Sequence, residues 1–375
     1  MLQDCLEDGN WAALQQQPLW PRDIAKATLQ ASLHPAADRV RPCGADALQQ
    51  HEWRGRQPQC AQALLSPLSP QLSLRQRTSV VIVGDSLGGQ LSRALQHAVA
   101  NNERLQGRLR VEWGVQGFGV IPRTVEGARR VLQPALEMLD AISGSEGGRR
   151  VLLVNAGAWY LMSAWCAAER HHRTRTCEQR RLVGRVVPND THPGETRPFE
   201  TAQCCGWYSL ARRVEGSATL AEYPSDVGVL LEALDTARRE RPGIEVVWYE
   251  TMPQHWPPYG PFDPDVSYDG GACLQEPPRG AALRQALLNA SEVARRAAAR
   301  QALLATRALQ SYQNSVVRPM LARFRVPLVP LWWALASRGH LHARSLEGVA
   351  DCTHWCEHSE VTLHMAKAVL AVLAV

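Results

Sequence analysis

Five short apolar runs, each followed by a segment of helical periodicity, restrict this chain to one class of fold. The runs cover residues 79–83, 109–115, 150–154, 244–249 and 326–331. Helix-period segments run from just after Ser86 to about 99, near 125–142, 225–239 and 279–325, and again over 361–373. Strands that alternate with helices of about ten or more residues form crossover units, so they pair in parallel and bury both faces beneath helices. The expected architecture is α/β, with three α/β/α layers around a five-stranded, mostly parallel sheet. The 279–325 segment, rich in Ala and Arg, reads as an amphipathic helix covering that sheet.

Two regions fall outside the alternation. Residues 1–70 are irregular and carry Cys5, Cys43 and Cys60 together with Trp11, Trp20 and Trp53. They are expected as an N-terminal segment packed on a main domain at 71–375. Within that domain an insertion at about 163–223 separates the third and fourth runs and holds Cys166, Cys177, Cys204 and Cys205. At 375 residues and 45% hydrophobic, the chain has ample material for a core. No run approaches the ~18 consecutive apolar residues of a membrane span, and Lys367 interrupts the apolar stretch at 366–375.

The net charge is +5, and of the 41 basic residues all but Lys26 and Lys367 are Arg. No clustered basic face or nucleic-acid module accompanies that charge, so no nucleic-acid partner is expected. The densest basic stretch, residues 170–185, reads either as a solvated loop or as an anion-binding surface. Ten Cys without a single C-x-x-C pair argue against a zinc ribbon, and no metal is expected. Sequons at Asn189 and Asn289 fit glycosylation on a secretory route. The opening Met1-Leu2-Gln3-Asp4-Cys5 has neither a charged n-region nor an apolar h-region. The expectation is either a thiol-rich cytoplasmic protein or one whose signal or membrane anchor is missing from this sequence.

Chemistry enters at Gly84-Asp85-Ser86-Leu87, between the first strand and its helix. A Ser at that turn projects its hydroxyl from the carboxyl edge of the sheet, where open α/β folds bind ligands. Gly84 would let the backbone turn tightly, and free N–H groups at the helix start would face an oxyanion. A serine nucleophile needs an imidazole base that is itself oriented by a carboxylate. Asp351-Cys352-Thr353-His354 supplies both, three residues apart, as if on one turn. Further oxyanion donors are expected at strand ends: the backbone N–H of Gly117 and the side chain of Asn155. Read alone, Asn155 equally well caps its own turn.

With Ser86, Asn155, Asp351 and His354 in place, the chain resembles the SGNH (GDSL-type) hydrolase superfamily. More narrowly, it resembles the trichome-birefringence-like polysaccharide O-acetyltransferases of the PC-esterase group. The resemblance rests on Val83-Gly84-Asp85-Ser86-Leu87, on Val154-Asn155-Ala156-Gly157-Ala158-Trp159, and on Thr251-Met252-Pro253-Gln254-His255-Trp256 followed by Asp269-Gly270-Gly271-Ala272-Cys273. It rests most specifically on Asp351-Cys352-Thr353-His354-Trp355-Cys356. Two segments depart from the family pattern, Gly88-Gly89-Gln90-Leu91 and the stretch from Glu357 to Thr362.

The resemblance implies a double displacement. Ser86, deprotonated by His354, takes an acetyl group, and a sugar hydroxyl then removes it, with Asp351 orienting the imidazole. No bound cofactor is implied; acetyl-CoA or another acetylated donor serves as co-substrate, and a polysaccharide or oligosaccharide is the acceptor. Trp159, His255, Trp256 and Trp355 are the expected substrate contacts, with ordinary core packing the alternative for the three Trp. The implied disulfides are Cys5–Cys60, Cys43–Cys356 and Cys273–Cys352. The implied setting is the Golgi lumen, membrane-anchored, or secretion. Cys166, Cys177, Cys204 and Cys205 then read as staples of the insertion, as free thiols, or as a metal site with His171 or His172. A carbohydrate acetylesterase with the same triad, and a non-catalytic carbohydrate-binding protein, are the alternatives.

Overall fold

A computed structural model of the chain describes residues 2–7, 9–13, 51–55, 60, 74–116, 121–144, 147–157, 186–188, 196–198, 223–255, 302–336, 338–344, 350–357 and 359–374. Gly117, Trp159, Trp256, Cys43, Cys273, Asn189, Asn289 and the four insertion cysteines lie outside them, as does the side chain of Asp351. In chain order the elements are helix α1 (Leu2–Glu7), strands β1 (Gly9–Ala13), β2 (His51–Gly55) and β3 (Thr78–Gly84), helix α2 (Ser86–Ala100), strand β4 (Leu109–Gln116), helix α3 (Val125–Ser143) and strand β5 (Arg149–Val154). A short hairpin, β6 (Val186–Pro188) and β7 (Thr196–Pro198), falls in the insertion. Then come α4 (Tyr223–Glu240), β8 (Ile244–Tyr249), α5 (Ala302–Phe324), β9 (Leu328–Val329), α6 (Trp332–Ala336), β10 (His342–Arg344), β11 (Ala350–Trp355) and α7 (Glu360–Leu373).

The main sheet has the order β4-β3-β5-β8-β9, and every neighbouring pair in it is parallel. Alternation along the strands builds two cores. Val80 and Ile82 of β3, with Val151 and Leu153 of β5, point to the face covered by α2 and α7. Val81 and Val83, with Leu152 and Val154, point to the face covered by α3, α4 and α5. Both faces are therefore dry, which explains why β3, β5 and β8 read as continuous apolar runs instead of alternating ones. Helix α7 is buried on nearly all sides, against α2 among others. The apolar stretch ending the sequence is thus an interior helix.

Strand order positions the chemistry. From β3 the chain crosses to β4 on one side and later to β5 on the other. The carboxyl end of β3 is consequently a point where connections diverge and leave a crevice. Ser86 opens α2 at that point.

The fifth strand is shorter than the run at 326–331. Only Leu328 and Val329 pair, with Trp248 and Tyr249. The buried carboxylate of Glu250 then accepts from the N–H groups of both Leu331 and Trp332, at 2.9 Å each, and that capture starts α6. The N-terminal segment is partly regular: β1 and β2 pair antiparallel, with Trp11 opposite Trp53. Cys5 is joined to Cys60 by a disulfide. Cys5 and Leu6 lie in the same apolar cluster as α2 and α7, and Glu7 is salt-bridged to Arg318 at 2.8 Å.

Candidate active site

Asp85 organises the turn between β3 and α2. It is the N-cap residue of α2, and its Oδ1 accepts from the Leu87 N–H at 2.9 Å. Burial raises the Asp85 carboxyl above the ordinary aspartate range, while the N–H groups of Leu87 and Gly88 and the nearby His354 favour its charged form. The helix-start N–H of Leu87 therefore serves Asp85 and not an incoming oxyanion. Of the helix-start donors the Ser86 N–H stands beside the hydroxyl.

Gly84 is required for space, not for a tight turn. It is absent from the positive-φ residues. A Cβ there would stand 2.2 Å from the Tyr249 hydroxyl oxygen, and one on Gly88 would stand 2.7 Å from it. Tyr249, at the end of β8, thus lies directly beneath the nucleophile turn. Its hydroxyl is buried and has no hydrogen-bond partner among the described residues.

Ser86 and His354 meet across the fold. The Nε2 of His354 stands 2.7 Å from the Ser86 Oγ, both partly buried. That is the contact a general base needs to take the hydroxyl proton. Asp351 and His354 do not share a helical or turn conformation. They lie on β11, and in a regular strand residues three apart face opposite sides. Here the register pairs His342 with Trp355 but Ala343 with Asp351, so Cys352, Thr353 and His354 bulge out between consecutive rungs. The bulge frees His354 from the alternation and lets it reach Ser86.

The bulge is held by side chains in place of ladder bonds. Gln90 of α2 both donates to the Trp355 carbonyl, at 2.6 Å, and accepts from the Trp355 N–H, at 3.0 Å. The His354 carbonyl faces the Nδ1 of His342 at 2.9 Å, and the Cys352 carbonyl accepts from the His255 N–H at 2.9 Å. Arg93 of α2 adds an ion pair with Glu357 at 2.6 Å. Cys352 and Cys356 are each disulfide-bonded, to partners outside the described residues.

Other expected site residues occupy different positions. The Asn155 side chain is buried and donates to the Tyr249 carbonyl at 2.8 Å and to the Thr251 Oγ1 at 3.3 Å. Its own backbone N–H bonds the Val83 carbonyl at 3.0 Å. It ties together the ends of β3, β5 and β8, and its amide nitrogen is engaged by those two acceptors. His255 and Trp355, expected to touch substrate, are interior: the Trp355 ring has no exposed area and stacks on His342. Neither ring offers a surface to a sugar. Asn314 of α5 braces the same sheet edge, pairing with both backbone groups of Thr251 at 2.9 and 3.0 Å.

Asp85, Gln90, Tyr249 and His342 are the participants that sequence reasoning missed. A signal existed for Gln90, a polar residue four positions after the nucleophile between Leu87 and Leu91 on an otherwise apolar helix face. A polar residue on a core-facing stripe needs a buried partner. Among the described residues no group of three or more His, Cys, Asp or Glu is arranged to hold a metal. No protein-family model matches the chain, and no curated protein matches it.

Proposed function

We propose that this chain is a serine-nucleophile O-acetyltransferase that passes an acetyl group through Ser86 onto hydroxyls of a secreted or cell-wall polysaccharide. The observation that carries the reading is the 2.7 Å contact between the His354 Nε2 and the Ser86 Oγ at the carboxyl edge of a parallel sheet. Ser86 Oγ attacks the acetyl carbonyl carbon of the donor while its proton passes to His354. The donor's C–O or C–S bond then breaks, and the departing atom takes that proton. A sugar hydroxyl next gives its proton to His354 and attacks the acetyl-Ser86 ester. The Oγ–carbon bond breaks, Oγ recovers the proton, and the enzyme is regenerated.

Each residue has a stated part in this scheme. The Ser86 N–H, with Gly117 as its expected companion, receives the developing oxyanion. Asp351 orients His354, and the buried Asp85 carboxylate supports the imidazolium through space. The acyl carriers are thus all side chains of this chain, with acetyl-CoA or another acetylated compound as donor. The Cys5–Cys60 bridge and the bonded state of Cys352 and Cys356 support an oxidising compartment, the secretory lumen or beyond. No described helix is long and apolar enough to cross a membrane.

Incubating the protein with an acetyl donor and a panel of oligosaccharides, followed by mass spectrometry of both, tests the reading. Acetyl on Ser86 and on the glycan is expected, and Ser86→Ala lowers turnover by about 10⁴-fold or more. Release of free acetate alone converts the assignment to an acetylesterase. A Ser86→Ala variant that matches the wild type refutes any serine mechanism.

A further inference from the structure

His255 and His342 form a pair behind the base whose hydrogens can be counted. The His255 Nε2 faces the Ala336 carbonyl oxygen at 2.8 Å, and the His342 Nδ1 faces the His354 carbonyl oxygen at 2.9 Å. A carbonyl only accepts, so each of those ring nitrogens carries a hydrogen. The remaining two, His255 Nδ1 and His342 Nε2, face one another at 2.7 Å. Two lone pairs do not meet at that distance, so a hydrogen lies between them. Two neutral imidazoles bring one ring hydrogen each, whereas these three contacts use three.

We propose that His255 and His342 share an additional proton as a buried imidazole–imidazolium pair, and that this cation holds the His354 backbone in place for catalysis. The inference deepens the acyl-transfer reading and rests on it for its catalytic half. His342 stacks on the Trp355 indole with ring centroids 3.9 Å apart, and His255 meets the same indole edge-on at 5.5 Å. An aromatic face against a desolvated cation is favourable, which offsets part of the cost of burying the charge. Removing the shared proton turns one of the three contacts into opposed lone pairs. The ring of His342 then releases the His354 carbonyl, and His354 loses its register with Ser86. His255 and His342 are positioning residues, since neither reaches the reacting atoms.

Several ionisable groups stand around the pair among the described residues. On α6 and the turn after it stands Arg338, paired at 3.4 Å with Glu360 of α7. On β11 and just beyond it stand His354, Asp351 and Glu357, the last paired with Arg93 of α2. Gln254, next to His255 in the loop after β8, and the clamp residue Gln90 are neutral. His354 must be neutral to accept the Ser86 proton, whereas the pair must stay protonated. The rate therefore rises with pH as His354 loses its proton and falls again as the pair loses its own.

Long-range proton–nitrogen spectra of the full chain with ¹⁵N-labelled histidine, recorded from about pH 5 to about pH 9, test the proton directly and use no substrate. Two rings coupled through a common hydrogen, with an imidazolium nitrogen pattern that titrates as one unit, are expected. Two independently neutral rings throughout overturn the proposal. The kinetic arm uses His342→Asn, whose amide retains a donor for the His354 carbonyl but has no basic nitrogen to share a proton with His255. It keeps the acid limb of kcat and loses the alkaline limb, whereas His342→Ala lowers kcat about tenfold with KM within about twofold. An alkaline limb that persists unchanged in His342→Asn overturns the positioning role. Loss of the serine mechanism itself shows in Ser86→Ala and leaves the spectroscopic result standing on its own.

Discussion

Substituting Gly84 by Ala tests the packing beneath the nucleophile turn. The added Cβ would lie 2.2 Å from the Tyr249 hydroxyl oxygen, about 1 Å short of van der Waals contact. Neither neighbour can yield. Gly84 ends β3, which pairs with β4 and β5, and Tyr249 ends β8, which pairs with β9. The cost should therefore lie at the upper end of the overpacking range, about 3 kcal/mol. Tyr249→Phe removes the clashing atom and a buried hydroxyl that has no partner among the described residues, so by itself it is neutral or stabilises by about 1 kcal/mol. The ring carbon that remains would stand 3.4 Å from the new Cβ, an ordinary contact. The double variant should thus recover most of the loss, with a coupling of about 2–3 kcal/mol. Urea unfolding of the oxidised protein, followed by tryptophan fluorescence, measures all four corners of the cycle. Ester turnover should follow the same order, because Ser86 rides on the displaced turn. Additive effects, with the double variant as unstable as Gly84→Ala alone, would refute the steric account.

Other perturbations separate the remaining roles. Gln90→Leu strands both backbone groups of Trp355 and should lower stability by about 2–4 kcal/mol, by urea titration, and kcat by about 10–100-fold. Asp85→Asn keeps the acceptor for Leu87 and removes a carboxylate whose native pKa is raised. The native state of the wild type binds that proton more tightly than the unfolded state, so its stability falls as pH rises from the ordinary aspartate value through the raised one. The advantage of Asp85→Asn should open over that window and persist above it, read by denaturation at a series of pH values. Mild reduction should abolish turnover before the fluorescence unfolding transition, because the bridges at Cys352 and Cys356 bracket the bulge while Ser86 opens a helix packed on a hydrogen-bonded sheet. Simultaneous loss of both signals would argue against that separation.

The parallel sheet was legible because its signal is redundant: β3, β5 and β8 are buried on both faces and so read as continuous apolar runs. β9 was overestimated because its end is decided by Glu250, which draws the next N–H groups into α6, a partner nothing in local periodicity announces. Ser86 and His354 were legible for a different reason, namely that few residue types at a strand–helix turn can carry a nucleophile and few can activate one. The hydroxyl's neighbours were not. Gln90, Tyr249 and His342 act through contacts between distant parts of the chain, and Trp355 and His255 were expected at a surface because motif position says nothing about burial. Asn155 shows the same limit, since its amide serves the strand ends and only geometry distinguishes that from an oxyanion donor.

Ser86 and His354 meet across 268 residues of chain, and Gln90 grips Trp355 across 265. The crossover units from β3 to β5 close over short distances, whereas His354 joins Ser86 only by closing a long one. Loop closure costs entropy only logarithmically in length, but it delays contact formation. During synthesis, which releases the N-terminal side first, the turn that carries Ser86 therefore takes shape while the His354 imidazole is still far downstream. A half-made chain carries an ordinary serine. On the acyl-transfer reading, turnover consequently reports that this long loop has closed, which makes activity a stricter measure of completed folding than helix content or compactness.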